Sequence, residues 1–89
     1  MQVHFNKIKP RLMPEAIVVL KTLLASDERM SKEELSLSAR VKRAVLDKVL
    51  IQLHAVCFVD INTFGKSKVC SVTRLGEQFI YWLEGENEK

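Results

Sequence analysis

Seven side chains carry the chemistry that this sequence is best equipped for. Arg40, Lys42, Arg43, Asp47 and Lys48 fall close together, and Lys66 and Lys68 flank Ser67 just after Gly65. Closely spaced Lys and Arg neutralise a polyanion and release its condensed counterions. Arg also presents a planar fork that matches the O6 and N7 atoms of guanine, and a carboxylate accepts from the amino group of cytosine. Such a run is also what the solvated face of any amphipathic helix carries; if it meets DNA, Arg43, Asp47 and Lys48 are expected to supply sequence preference, with Asp47 either meeting cytosine or orienting Arg43. Arg40, Lys42, Lys66 and Lys68 are then expected to hold phosphates.

His4, His54, Cys57 and Cys70 are the other reactive groups. His54-x-x-Cys57 is the only close pair, and it straddles the predicted end of a helix, whereas a zinc framework needs four ligands at paired spacings. Counting from a turn near Gly65 sets Cys70 opposite about Asp60 and offset from Cys57, so no disulfide is expected. Both thiols read as small buried apolar groups. There is no Gly-rich phosphate loop, nucleophile elbow or His–Glu metal motif, and a cap and a helix end account for Ser31 and His54. The chain is expected to be non-catalytic and to need no cofactor or metal.

These groups need a scaffold. At 89 residues the chain has room for one domain, and 47% hydrophobic and 28% charged residues match ordinary globular usage rather than disorder. The longest apolar runs (16–20 and 55–59) fall far short of the roughly 20 residues of a membrane span. Residues 1–13 lack the pattern of a secretory signal. A soluble, cytoplasmic protein with no membrane partner is expected. The net charge of +3 is uneven. Lys7, Lys9 and Arg11 make the N-terminal run basic, the two runs described above are basic, and Glu77, Glu84, Glu86 and Glu88 make the C-terminal stretch acidic.

Hydrophobic periodicity supplies the elements. Pro14 suits a first helical turn, and Ile17, Leu20, Leu23 and Leu24 mark the buried face of the helix it opens. Ser31-Lys32-Glu33-Glu34 is a capping box that starts a short second helix with Leu35 and Ala39 inward. A third helix from Lys42 or Arg43 to His54 buries Leu46, Val49, Leu50 and Leu53 and exposes Arg43, Asp47 and Lys48. Cys57–Ile61 and Lys68–Val72 are β-prone and flank a Gly-bearing loop, which predicts a hairpin. Thr73 then caps a last helix with Phe79, Ile80 and Leu83 as its seam, and Gly85 is expected to end it. Residues before Pro14 read either as an extended arm or as a short extra helix.

The order helix, helix, helix, hairpin, helix resembles the winged helix-turn-helix DNA-binding domains of small regulators, MarR-, PadR- and ArsR-like in the broad sense. Glu34-Leu35-Ser36 through Ala39-Arg40-Val41 is similar to the second helix and turn. The stretch from Lys42 to Leu53 is similar to the recognition helix. Val56-Cys57-Phe58-Val59 is similar to the exit into the first wing strand, and Val72-Thr73-Arg74-Leu75-Gly76-Glu77-Gln78-Phe79 to the step from the second wing strand into the last helix. The family often carries Gly where this chain has Cys57, and many members carry Gly in the turn where it has Arg40. The resemblance implies an α+β fold, mainly α with a β-hairpin: a three-helix core plus wing and C-terminal helix over residues 14–84.

The same resemblance implies double-stranded DNA as partner, with helix 42–54 in the major groove, the wing 62–68 on flanking backbone, and a role as a small transcriptional regulator. The apolar arm residues Val3, Phe5, Ile8 and Leu12, with Tyr81 and Trp82, are expected to build a homodimer. The alternative is that residues 1–13 fold back over Trp82 within one chain. Residues 85–89 are expected to be a frayed acidic tail, and no small-molecule effector is predicted. Two other functions fit the fold: a protein-interaction module of a larger complex, and a plasmid or viral replication or partition protein.

Overall fold

A computed structural model of the chain describes residues 5–26 and 29–87, so the expectations for Val3, His4 and the last two residues lie outside it. Pro14 opens helix α2 (Pro14–Ala25) from an extended Met13. Its buried residues are Ala16, Val19, Leu20 and Leu23, while Ile17 and Leu24, expected at the centre of the seam, lie half-buried at its edges. The stripe is wide because α2 packs against several elements at once, including the two middle helices and the last one.

Ser31 ends a short strand β1 (Arg29–Ser31) and caps α3 (Lys32–Ala39). Its hydroxyl oxygen accepts the Glu34 N–H at 3.2 Å, and its O–H donates to Glu34 Oε1 at 3.0 Å. The Glu34 carboxylate thus closes on the serine hydroxyl instead of on the serine backbone. Leu35 and Ala39 are buried as expected.

The next helix, α4 (Arg43–Ala55), buries Leu46, Val49, Leu50 and Leu53, the four positions its periodicity selects. Helices α3 and α4 end alike. Arg40 is left-handed at φ 57°, Val41 N–H donates to Ser36 O at 3.1 Å, and Arg40 N–H donates to Leu37 O at 3.3 Å. Cys57 is left-handed at φ 64°, Phe58 N–H donates to Leu53 O at 2.9 Å, and Cys57 N–H donates to His54 O at 3.0 Å. Both are Schellman turns, and both do without the glycine that such turns favour.

Strands β2 (Val59–Phe64) and β3 (Ser67–Val72) form the expected hairpin, with longer strands and a two-residue turn at Gly65-Lys66. Gly65 has φ 63°, a conformation glycine adopts without steric cost. Cys70 pairs with Ile61, one residue from the counted partner, and Asp60 pairs with Ser71. The hairpin is part of a larger sheet. Strand β1 pairs antiparallel with β3 through Arg29–Ser71, Met30–Cys70 and Ser31–Val69, giving the order β1-β3-β2. Three residues with no alternation to display offered no strand signal in the sequence.

The last helix, α5 (Arg74–Asn87), is capped by Thr73, whose hydroxyl oxygen accepts the Gly76 N–H at 3.1 Å. Phe79, Ile80 and Leu83 are buried. The helix passes through Gly85 to Asn87, so the expected stop at Gly85 is corrected. A helical glycine costs about 1 kcal/mol relative to alanine, too little by itself to end a helix. The N-terminal segment is a short helix α1 (Phe5–Ile8) followed by a 3₁₀ turn at Lys9–Arg11. Phe5 lies edge-on to Phe79 at 5.3 Å and tilted against Trp82 at 5.7 Å, and Phe58 stacks on Phe79 at 4.7 Å. The segment therefore folds back over Trp82 within the chain.

The start of α5 is pinned to the exit of α4. Thr73 N–H donates to Phe58 O at 2.9 Å, and Thr73 O–H donates to Cys57 O at 2.6 Å. A Cβ on Gly76 would stand 2.3 Å from Phe58 O and 3.0 Å from Val72 Cγ2, so only glycine admits this approach. Gly76→Ala is expected to cost about 2 kcal/mol or more, as overpacking against fixed backbone does. Cys57→Gly should stabilise by about 1 kcal/mol through relief of the left-handed strain. Urea unfolding of the two variants checks both, and a neutral Gly76→Ala or a destabilising Cys57→Gly contradicts the account.

Candidate nucleic-acid interface

Helix α4 turns its buried stripe inward, which fixes what it presents to solvent. Opposite Leu46, Val49, Leu50 and Leu53 lie Ala44, Lys48, Ile51 and Ala55, all exposed, with Ile51 at 71%. Arg43 and Asp47 lie on one flank of this stripe. Lys48, five residues beyond Arg43, is turned about 140° from it around the axis. The three residues expected to act on one face therefore split, with Lys48 at the centre and Arg43 and Asp47 toward the hairpin. Periodicity also points to Ile51, which attention to charge alone passed over.

On the hairpin side, Arg43 faces Lys66, Ser67 and Lys68 across an open cleft of about 360 Å³, whose remaining wall is Ser31, Lys32 and Glu33. The cleft brings together three of the expected cations and adds Lys32, hidden in the sequence by its place in a capping box. An adjoining cleft of about 330 Å³ is lined by Lys32, Asp47, Leu50, Ile51, Ile61, Lys68 and Cys70. Here Asp47 is ion-paired with Lys32, neither meeting nor orienting Arg43 through a direct bond. The Lys32 ammonium holds its carboxyl below the usual carboxylate range by hydrogen bonding, against an opposing effect of burial, with the charges of Lys32, Arg43 and Lys68 adding to the lowering. Among the described residues, Arg40, Lys42, Arg43, Lys48, Lys66 and Lys68 form no ion pair. All six are exposed.

The other flank of α4 carries the N-terminal segment. Gln52 Oε1 accepts the Met13 N–H at 3.0 Å, and Gln52 Nε2 donates to Arg11 O at 2.9 Å. This amide clasps the backbone of the segment to α4 and places Lys7 and Arg11 around a shallow cleft with Ala55 and Val56. The sequence marks this run as basic but offers no sign that it lies beside α4, because the contact joins residues about forty apart.

The groups expected to join two copies are placed differently. Phe5, Ile8, Leu12 and Trp82 pack against the chain's own core. Tyr81 is 60% exposed. It lies beside a groove between α2 and α5 lined in part by Leu24, Ala25 and Ile80. Val3 lies outside the described residues. The thiols also part company: Cys70 is buried and free, as expected, but Cys57 is free and exposed. Its left-handed backbone places it at the surface turn, correcting the expectation that both are buried.

No family model matches the sequence, and no curated protein is similar to it. Solved structures are. BpsR of Bordetella bronchiseptica, whose DNA binding is regulated by 6-hydroxynicotinic acid, superposes with a TM-score of 0.77 at 16% identity over 86% of this chain and 60% of that one. A winged-helix DNA-binding protein from STIV gives 0.75 at 19% identity, over 82% and 86%. A putative DNA-binding protein from Ralstonia eutropha gives 0.72 at 23% identity, over 81% and 96%. The chain thus spans about 60% of BpsR and most of the two smaller proteins. These likenesses show the fold: the chain is a winged helix-turn-helix, with α3 and α4 as the helix pair and β2–β3 as the wing.

Burial pushes the Cys70 thiol up, opposed by the charges of Lys32 and Lys68. A buried thiol that resists ionisation reacts slowly. A disulfide reagent near neutral pH is expected to modify Cys57 rapidly and Cys70 only after denaturant is added. Two fast thiols in the folded protein would contradict this placement.

Proposed function

We propose that the chain binds double-stranded DNA and serves as a small transcriptional regulator, with α4 in the major groove. The observation that carries this reading is the free outer stripe of α4, bordered on both sides by cations. Lys32, Arg43, Lys66 and Lys68 border one flank, and Lys7 and Arg11 the other. A major groove about 12 Å wide admits one helix between two phosphate strands, so a helix with basic flanks has the complementary charge layout. The DNA-binding proteins among the structural neighbours support the same partner.

Within this reading, Lys48 meets base edges, and Ile51 and Ala44 meet thymine methyl groups, which apolar side chains recognise, while Arg43, expected from the sequence to read bases, borders the stripe on the wing side and takes a phosphate. Lys42 at the start of α4, Arg40 in the left-handed turn, and Lys66 and Lys68 at the wing contact phosphates. The basic N-terminal segment, expected from the sequence to join two copies, takes the far strand. A homodimer then rests on Tyr81 and its groove, and it would set two α4 helices on half-sites about 34 Å apart.

Gel-shift titration of random duplexes over a range of salt tests the reading. Reversing Arg43 and Lys48 to Glu should abolish binding. Replacing Lys66 and Lys68 with Ala should weaken it evenly across sequences and flatten the plot of log affinity against log salt by about 2. Ile51→Ser should shift the selected sequences by about 1–3 kcal/mol at one base pair. Wild-type protein that binds no duplex at low salt contradicts the proposal. A sedimentation mass that doubles with concentration, and no longer does so in Tyr81→Glu, is the expected mark of the dimer. Binding of another protein through Tyr81, with no duplex bound, would favour the interaction-module reading instead.

A further inference from the structure

Lys32 lines both clefts beside α4. On one side it meets Arg43, Lys66 and Lys68, and on the other it is ion-paired with Asp47. We propose that the cleft formed by Lys32, Arg43, Lys66 and Lys68 is a phosphate site, and that Asp47 is its resident competitor, holding Lys32 until a phosphate displaces it. The inference deepens the DNA-binding reading and rests on it for the identity of the phosphate carrier.

The arrangement carries the competition. Four cations from three elements converge on one open cleft: Lys32 from the first turn of α3, Arg43 from the first turn of α4, and Lys66 and Lys68 from the wing. Glu33 is the one acidic side chain in its lining. Asp47 lies in the neighbouring cleft, across a wall that Lys32 and Lys68 share. A long, flexible ammonium at such a wall can serve an anion on either side, because Lys acts as a point charge without the fixed fork of Arg. The Lys32 side chain is 22% exposed and that of Asp47 49%, so the pair lies at the surface, with the paired Asp47 Oδ1 covered and the rest of the carboxylate open. A pair this exposed contributes little to stability. Its effect falls on binding: a phosphate in the cleft gains three cations outright and must win the fourth from Asp47.

The consequence is independent of sequence. Neutralising Asp47 without altering its shape frees Lys32 for any phosphodiester, so every duplex binds more tightly and one more counterion is released on binding. A base-reading Asp47 would behave in the opposite way, its loss weakening binding to sequences with cytosine at one position.

The test is a cycle of Asp47→Asn, Lys32→Ala and the double variant, with two unrelated duplexes titrated across salt concentration. Asp47→Asn is expected to tighten both duplexes alike by about three- to tenfold and to steepen the salt slope by about 0.9. Lys32→Ala should weaken both, and the Asp47→Asn gain should vanish in its presence. A loss confined to one duplex, no change, or a gain that survives removal of Lys32 overturns the proposal. A parallel titration with inorganic pyrophosphate, read by thermal melting, separates this inference from the reading beneath it. If pyrophosphate stabilises Asp47→Asn more than wild type and Lys32→Ala less, while no duplex binds, the phosphate site stands and DNA is the wrong carrier. If duplexes bind without regard to Lys32 and Asp47, DNA is the right partner and the site is wrong. Neither ligand responding overturns both.

Discussion

The exit of α4 is the constraint on which the rest of the molecule depends. Over three residues the chain must leave a helix, reverse and enter a strand, and it does so by setting Cys57 left-handed. That conformation turns the Cys57 and Phe58 carbonyls toward Thr73, which takes one through its hydroxyl and the other through its backbone N–H. The Thr73 oxygen in turn caps α5, and Gly76 leaves the room for α5 to approach. One residue thus ties together the end of α4, the end of β3 and the start of α5. Because Thr73 follows β3 directly, the direction of the hairpin is set relative to α4, and Lys66 and Lys68 come to lie across a cleft from Arg43.

Both ends of the helix pair are strained in the same way. A non-glycine residue in the left-handed region costs about 1–2 kcal/mol, and here Arg40 and Cys57 each adopt it. Neighbouring bonds hold them there. Ser36 O–H donates to Val41 O at 2.7 Å below Arg40, and Phe58, next to Cys57, is fully buried against the core. Arg40 sets an exposed cation at the edge of α4 that a glycine in the turn would not bring. The Cys57 thiol is exposed and free, so the strain there serves the path of the backbone and its bonds to His54 and Thr73.

Local order was legible in the sequence and lateral contact was not. The seam of α4, the Ser31 cap and the Thr73 cap follow from patterns read within a few residues and stand where the patterns put them, and the wing is present with its first strand starting two residues later and its turn tighter than expected. The two glycine-less turns were legible as departures from a family pattern. Strand β1 was not, since three residues become a strand only because β3 lies beside them. The surroundings of α4 were hidden for the same reason. Lys32 reaches Asp47 from another helix, and Gln52 clasps backbone from the far end of the chain. Gly85 misled because a helix-stopping residue stops a helix only where packing does not carry it onward. The split of Arg43 from Lys48 follows from helical geometry alone, since five residues turn a side chain by about 140°.

The surface that results is asymmetric. A bare stripe with one central lysine and an exposed isoleucine runs along α4, cations border it on both flanks, and the acidic residues Glu77 and Glu84 lie by the distant α2–α5 groove. In the proposed function this stripe is what a nucleic acid meets. Mapping backbone amide resonances during titration of a short duplex tests it most directly. The largest shifts are expected on Ala44, Lys48 and Ile51, with lesser ones at Lys66–Lys68 and Arg11. Shifts gathered instead around Tyr81 and Leu24, with α4 undisturbed, would contradict it.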